Sequence, residues 1–204
     1  GRSYMLDAGL NDCGFFGMTV DVRTPGRLIF TFDEVLSGGE VDPSRLNCCN
    51  VVEWMFERPG RYAVETFEPY VWRYANLFAL EGRMIVSSPF VRTYKNAQVG
   101  RAKFRCSDPA FDRIFSAARE TFAQNAVDVF TDCPSRERAG WLCDSFFIAR
   151  VNRLLTGTDD LERLFLQNYQ IPEEFDHLPR GMVPMCYPAD HCNGDFIPNW
   201  AMWL

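Results

Sequence analysis

Thr131-Asp132-Cys133-Pro134-Ser135-Arg136-Glu137-Arg138-Ala139-Gly140-Trp141-Leu142-Cys143-Asp144 sits between two apolar segments of helical period. It gathers three carboxylates (Asp132, Glu137, Asp144), two arginines and a tryptophan around a proline and a glycine. Carboxylates serve as acid, base or hydroxyl acceptors, arginines bind hydroxyls or hold neighbours ionised, and indole offers a face to a pyranose ring. The composition is that of a sugar-cleaving site. It is also that of a capped, solvated helix start with surface ion pairs, and residue types alone leave both open.

Either side of this stretch the period is helical. Asp108 before Pro109 is a helix start, a capping residue followed by proline at the first turn. Phe111, Ile114, Phe115, Ala118, Phe122 and Ala126 then recur at helical spacing. Pro134 cannot continue a helix interior, so the charged stretch begins as a loop. A second helix is expected from about Arg138 to Leu155, with Trp141, Phe147, Ile148, Val151 and Leu155 on one side and Gly157 ending it. That start puts Glu137 at the first turn and Asp144 about two turns further along the same face. Carboxylates facing one hollow repel, which raises at least one pKa unless cations intervene. Asp159-Asp160 opens a third helix with Leu161, Leu164, Phe165 and Tyr169 as its stripe. The connection from Pro172 to Pro198 is rich in Pro, Gly, Asp and His, a length usual for a functional loop or one packed near a site.

Before residue 100 the period is two. Ala8 to Val22 ends at the turn Thr24-Pro25-Gly26. Arg27 to Val35 then sets Leu28, Phe30 and Phe32 against Ile29 and Thr31. Val51 to Glu57, Tyr62 to Pro69 and Tyr70 to Leu80 continue the pattern between Pro-Gly turns. Short strands so punctuated predict an antiparallel β-sandwich or jelly-roll-like domain. The expected domains are 1–102, the sandwich, and 103–204, the helical part. Trp54 and Trp72 are expected in the core or at a domain interface.

Composition narrows the class. The 204 residues are 47% hydrophobic and 15% aromatic, a globular balance. A net charge of −6 argues against a nucleic-acid surface. No apolar run approaches the ~20 residues of a membrane span. The eight cysteines include no C-x-x-C pair, so reduced thiols are expected ahead of a disulfide framework. Cys186 and Cys192 around His191 lack the tight pairing of a zinc site, so no metal or other cofactor is expected. The lack of a starting Met, and the apolar end Trp200-Ala201-Met202-Trp203-Leu204, suggest a segment of a longer protein. Compartment and oligomeric state have no signature here.

Asp132 to Asp144 resembles the signature of the α-L-rhamnosidase family of glycoside hydrolases. The likeness extends to the β half through Phe32-Asp33-Glu34, Pro59-Gly60-Arg61-Tyr62 and Phe67-Glu68-Pro69-Tyr70. The resemblance implies a β-sandwich followed by the first helices of an (α/α)6 barrel, incomplete in this chain. It implies hydrolysis of terminal α-L-rhamnose from glycosides, oligosaccharides or polysaccharides with inversion. Glu137 would be the general acid. Asp132, Arg136 and Asp144 would bind hydroxyls, and Trp141 would line the pocket, with Trp200 as a further aromatic wall or simply helix core. The general base would lie outside the segment, which alone would be inactive and unstable because an opened barrel exposes helix faces. Glu173, Glu174 and Asp176 do not match its context. Asp190 and Asp195 share the loop with His191, and His177 and His191 read as loop hydrogen-bonders. Cys143 stands where many members have glycine, and an additional acidic residue found after Arg136 in some members is absent. Other readings are an inverting hydrolase of another sugar on the same barrel, and a non-catalytic carbohydrate-binding protein.

Overall fold

The computed structural model describes residues 3–170, 175, 178–189 and 197–204. It divides into two compact units, Gly1–Tyr94 and Lys95–Leu204.

The first unit is antiparallel β. Strands β1 (Ser3–Asp33), β2 (Val51–Phe56), β3 (Gly60–Glu65) and β4 (Tyr70–Thr93) all join through β1. At Thr24-Pro25-Gly26 β1 bends without ending, and its ladder to β4 shifts register on both sides of Thr24. Glycines permit the corner. A Cβ on Gly26 would lie 2.2 Å from the Glu81 carbonyl oxygen. One on Gly82, at φ +79, would lie 2.5 Å from that of Pro25.

The corner splits β1 into arms. Residues 14–22 run between β3 and the later half of β4, while residues 27–33 run between β2 and the earlier half. Alternation turns Phe16, Met18, Val20 and Val22 of one arm and Leu28, Phe30 and Phe32 of the other into a common core. The Phe16 and Phe30 rings stack with centroids 4.3 Å apart, so the arms face each other as a sandwich. Trp72 is buried edge-on to both rings, and Trp54 packs against this core from a half-buried position. Full burial of each such side chain stabilises by about 1.5–3 kcal/mol. The later half of β4 escapes the sequence pattern. Ile85 and Phe90 are exposed, so its apolar residues do not alternate cleanly.

The second unit opens with a 3-10 helix, Ala97–Arg101. Asn96 caps it through Gln98 N–H and donates its side-chain amide to the Ala126 carbonyl at 2.7 Å. Helix α1 (Pro109–Asn125) is capped as its sequence predicts, Asp108 accepting Ala110 N–H at 2.8 Å. Helices α2 (Leu142–Thr156) and α3 (Asp160–Asn168) follow, with α4 (Pro198–Ala201) near the end. Phe122, Ala123, Ala126, Phe130, Leu142, Leu161, Phe165 and Tyr169 form the core.

The structure corrects three expectations. Helix α2 begins at Leu142, not near Arg138. The stripes also do not all point inward: Phe111, Ile114, Phe147, Val151 and Leu164 are exposed, and Ser145, Asn152 and Thr156 take buried places on α2. Apolar period marks a face suited to burial, and these faces are only partly covered among the described residues. Asp159 holds the N-cap position of α3 without a side-chain capping bond; Thr158 Oγ1 instead accepts Asp160 N–H at 3.2 Å.

One ion pair anchors the long loop after β1. Asp33 is fully buried, and Arg45 grips it with Nε to Oδ2 at 2.5 Å and Nη2 to Oδ1 at 2.7 Å. Arg45→Ala would leave that carboxylate buried without a cation. The expected loss, read by chemical denaturation, is about 2–4 kcal/mol; a change within error would show the bond to be dispensable.

Candidate functional site

The chain between α1 and α2 folds as a closed loop. Asp132 N–H donates to the Ala139 carbonyl, and Ala139 N–H returns to Asp132 Oδ1, both at 3.1 Å. Within the loop, Pro134 to Glu137 form turns and Arg138 takes a left-handed φ of 51. The chain then extends instead of coiling, because its backbone pairs with a distant segment. Gly140 N–H donates to the Pro188 carbonyl (3.0 Å), Tyr187 N–H to Gly140 (3.1 Å) and Leu142 N–H to Met185 (2.9 Å). The Tyr169 hydroxyl adds a bond to the Gly140 carbonyl at 2.9 Å. Gly140 has no room for a side chain, since its Cβ would meet the Tyr187 oxygen at 2.5 Å. Helix α2 can start only beyond this bridge.

The three carboxylates of the stretch interact. Burial pushes the Asp144 carboxyl above its ordinary range, and the charges of Asp132 and Glu137 push it the same way. Its own backbone N–H and a hydrogen bond from Trp200 oppose the rise. Glu137 is ion-paired to Arg136 and mostly shielded, its side chain 24% exposed. Burial likewise raises the Cys133 thiol, which donates to Asp132 Oδ2 at 2.9 Å.

The sequence-predicted residues are thus distributed as follows. Asp132, Arg136 and Glu137 lie in the closed loop, Trp141 at the N-cap of α2 and Asp144 in its first turn. Glu137 precedes the helix, so the expected spacing of two turns to Asp144 is replaced by a loop-to-helix approach. Trp141 has its indole N–H buried with no hydrogen-bond partner among the described residues. Trp200 contacts the site as a donor to Asp144. Glu173, Glu174, Asp176, His177, Asp190, His191, Cys192 and Asp195 lie outside the described residues. The described residues contain no cluster of metal-binding side chains and no helix long and apolar enough to cross a membrane.

Sequence reasoning gave no part to Cys133, and it placed Met185–Pro188 only within a long connection expected to be functional or packed near a site. A thiol flanked by Asp132 and a proline turn was the available signal for the first. The second pairs across more than forty residues and leaves no local trace.

Residues 100–204 match the family described as the bacterial alpha-L-rhamnosidase 6 hairpin glycosidase domain. The chain belongs to the bacterial α-L-rhamnosidases. Its helical unit is accordingly part of a six-hairpin glycosidase fold. The GH78 family rhamnosidase of Bacillus sp. GL1 superposes with a TM-score of 0.80 at 23% identity, over 98% of this chain and 20% of that one. A rhamnosidase from Klebsiella oxytoca with rhamnose bound gives 0.74 at 21% identity, over 100% and 42%. The Streptomyces avermitilis α-L-rhamnosidase complexed with L-rhamnose gives 0.65 at 19%, over 92% and 18%. This chain therefore spans less than half the length of each. No curated protein matches it significantly.

Two substitutions probe this geometry. Gly140→Ala should destabilise by about 1–3 kcal/mol, because the obstructing atom is backbone; an unchanged denaturation midpoint would contradict the bridge. For Asp144, the folded state binds the proton more tightly than the unfolded chain does. Its ionisation thus costs stability as pH rises from the ordinary carboxylate range through the raised value. Asp144→Asn removes that cost and can still accept from Trp200. Above this window the variant should melt higher than wild type, by roughly 1–3 °C, and the gain should vanish below it. A gain independent of pH would refute the electrostatic cause.

Proposed function

We propose that the protein removes terminal α-L-rhamnose from glycosides, oligosaccharides or polysaccharides by general acid catalysis with inversion. The observation that carries this is the raised Asp144 carboxyl, acted on by burial and by the charges of Asp132 and Glu137, beside an ion-paired arginine in a family of rhamnosidases. Glu137 protonates the glycosidic oxygen as the bond to the anomeric carbon breaks. Asp132, Arg136 and Asp144 take the sugar hydroxyls. Trp141 lines the pocket, and its unpartnered buried N–H is a donor that a hydroxyl or water can satisfy. Trp200, as partner of Asp144, closes the site on one side. Inversion requires a second carboxylate, roughly 6.5–9.5 Å away, activating water on the opposite face. We place that base outside these residues, in keeping with the short share of each relative that they span.

One observation favours a second assignment. Asp144 is the carboxyl whose proton is held to higher pH, while Glu137 is paired to Arg136. On this reading Asp144 donates the proton, and Glu137 with Arg136 binds hydroxyls.

Leaving-group dependence separates the two in the intact protein. Loss of the acid harms poor leaving groups most, because good ones depart without protonation. With Glu137 as acid, Glu137→Gln should lower kcat about 100-fold or more on an alkyl α-L-rhamnoside and far less on a dinitrophenyl one. Asp144→Asn should then affect both substrates alike. The reverse pattern would transfer the role to Asp144, and equal rates for both variants and wild type would reject catalysis here.

A further inference from the structure

Cys133 takes no part in the proton transfer proposed above, yet the loop that carries Glu137 is built around it. Its S–H donates to Asp132 Oδ2 at 2.9 Å, while the other oxygen of that carboxylate holds Ala139 N–H at 3.1 Å. The backbone N–H groups of Arg136, Glu137 and Arg138 act on the sulphur, each favouring its negative form. Successive amides converge on one point when a turn ends in a left-handed residue, the concave arrangement that ordinarily receives an anion. Here Arg138, at φ 51, closes the turn, and the occupant is supplied by the chain itself. Pro134, next to Cys133, has no N–H to compete. The thiol is half-buried and forms no disulfide, so its bond to Asp132 is partly withdrawn from water.

We propose that Cys133 is a positioning residue, its sulphur gathering the amides of residues 136–138 and donating to Asp132 so that the Glu137 carboxyl is aimed at the glycosidic oxygen. The inference rests on the role proposed for Glu137. The alternative is that the side chain merely fills space, and two substitutions divide these roles. Cys133→Ser keeps a donor and acceptor but is smaller. Cys133→Val keeps the bulk and loses both the donor and the acceptor.

In the intact protein, the serine variant should keep kcat on an alkyl α-L-rhamnoside within about 5-fold of wild type. The valine variant should lose about 10–100-fold in kcat with KM changed less than about 3-fold, the mark of misplaced chemistry rather than weakened binding. Hydrogen exchange provides a readout free of turnover. The amides of residues 136–138 should exchange about 10-fold faster in the valine variant and near the wild-type rate in the serine variant. Cys133→Ala takes the place of valine if the latter does not fold. Valine matching or exceeding serine in kcat, or unchanged amide exchange, overturns the proposal. If wild type itself fails to cleave any rhamnoside, the proposed function falls, and the exchange result alone decides whether sulphur organises the loop.

Discussion

Three backbone hydrogen bonds between residues 140–142 and 185–188 set the form of the site. They force the chain to remain extended past Arg138 and delay α2 until Leu142. They also need a position with no side chain at Gly140, where carbonyl and aromatic atoms already occupy the space. Without that pairing, the period of the sequence would let a helix run back toward Glu137. Glu137 would then be fixed in a regular helix, instead of in a turn that can be shaped separately.

Within that frame the polar groups divide the work. Asp132 is tied to its own loop, one oxygen to backbone and one to sulphur, and each oxygen keeps further acceptor capacity. Asp144 carries the electrostatic load, combining burial with two neighbouring negative charges and relief from Trp200. Arg136 offsets the charge nearest to it, that of Glu137. Preorganisation of this kind lets a site keep like charges close without collapse, since the cost is met by folding before substrate arrives.

What the sequence disclosed follows the range of the forces involved. The start of α1 was legible because Asp108, Pro109 and Ala110 settle it among themselves. The arms of β1 were legible because alternation writes the buried face into every second residue. The start of α2 was not, because its competitor lies more than forty residues downstream. The later half of β4 was hidden by exposed apolar residues such as Ile85 and Phe90. On α1 and α2 the stripe of large side chains overstated burial, since helical period registers apolar character but not whether a neighbour arrives. For the candidate site, composition picked out the residues, while the turn that carries Glu137 depends on a left-handed Arg138 that no composition encodes.

The crossing at Gly26 and Gly82 has a mechanical outcome. Because β1 and β4 each pass from one layer of the sandwich into the other, neither layer can slide or peel while its companion stays intact. A slip by one residue in either strand would invert the alternation on both sides of the bend at once. The layers consequently share a single register, and their loss should be one concerted event rather than two.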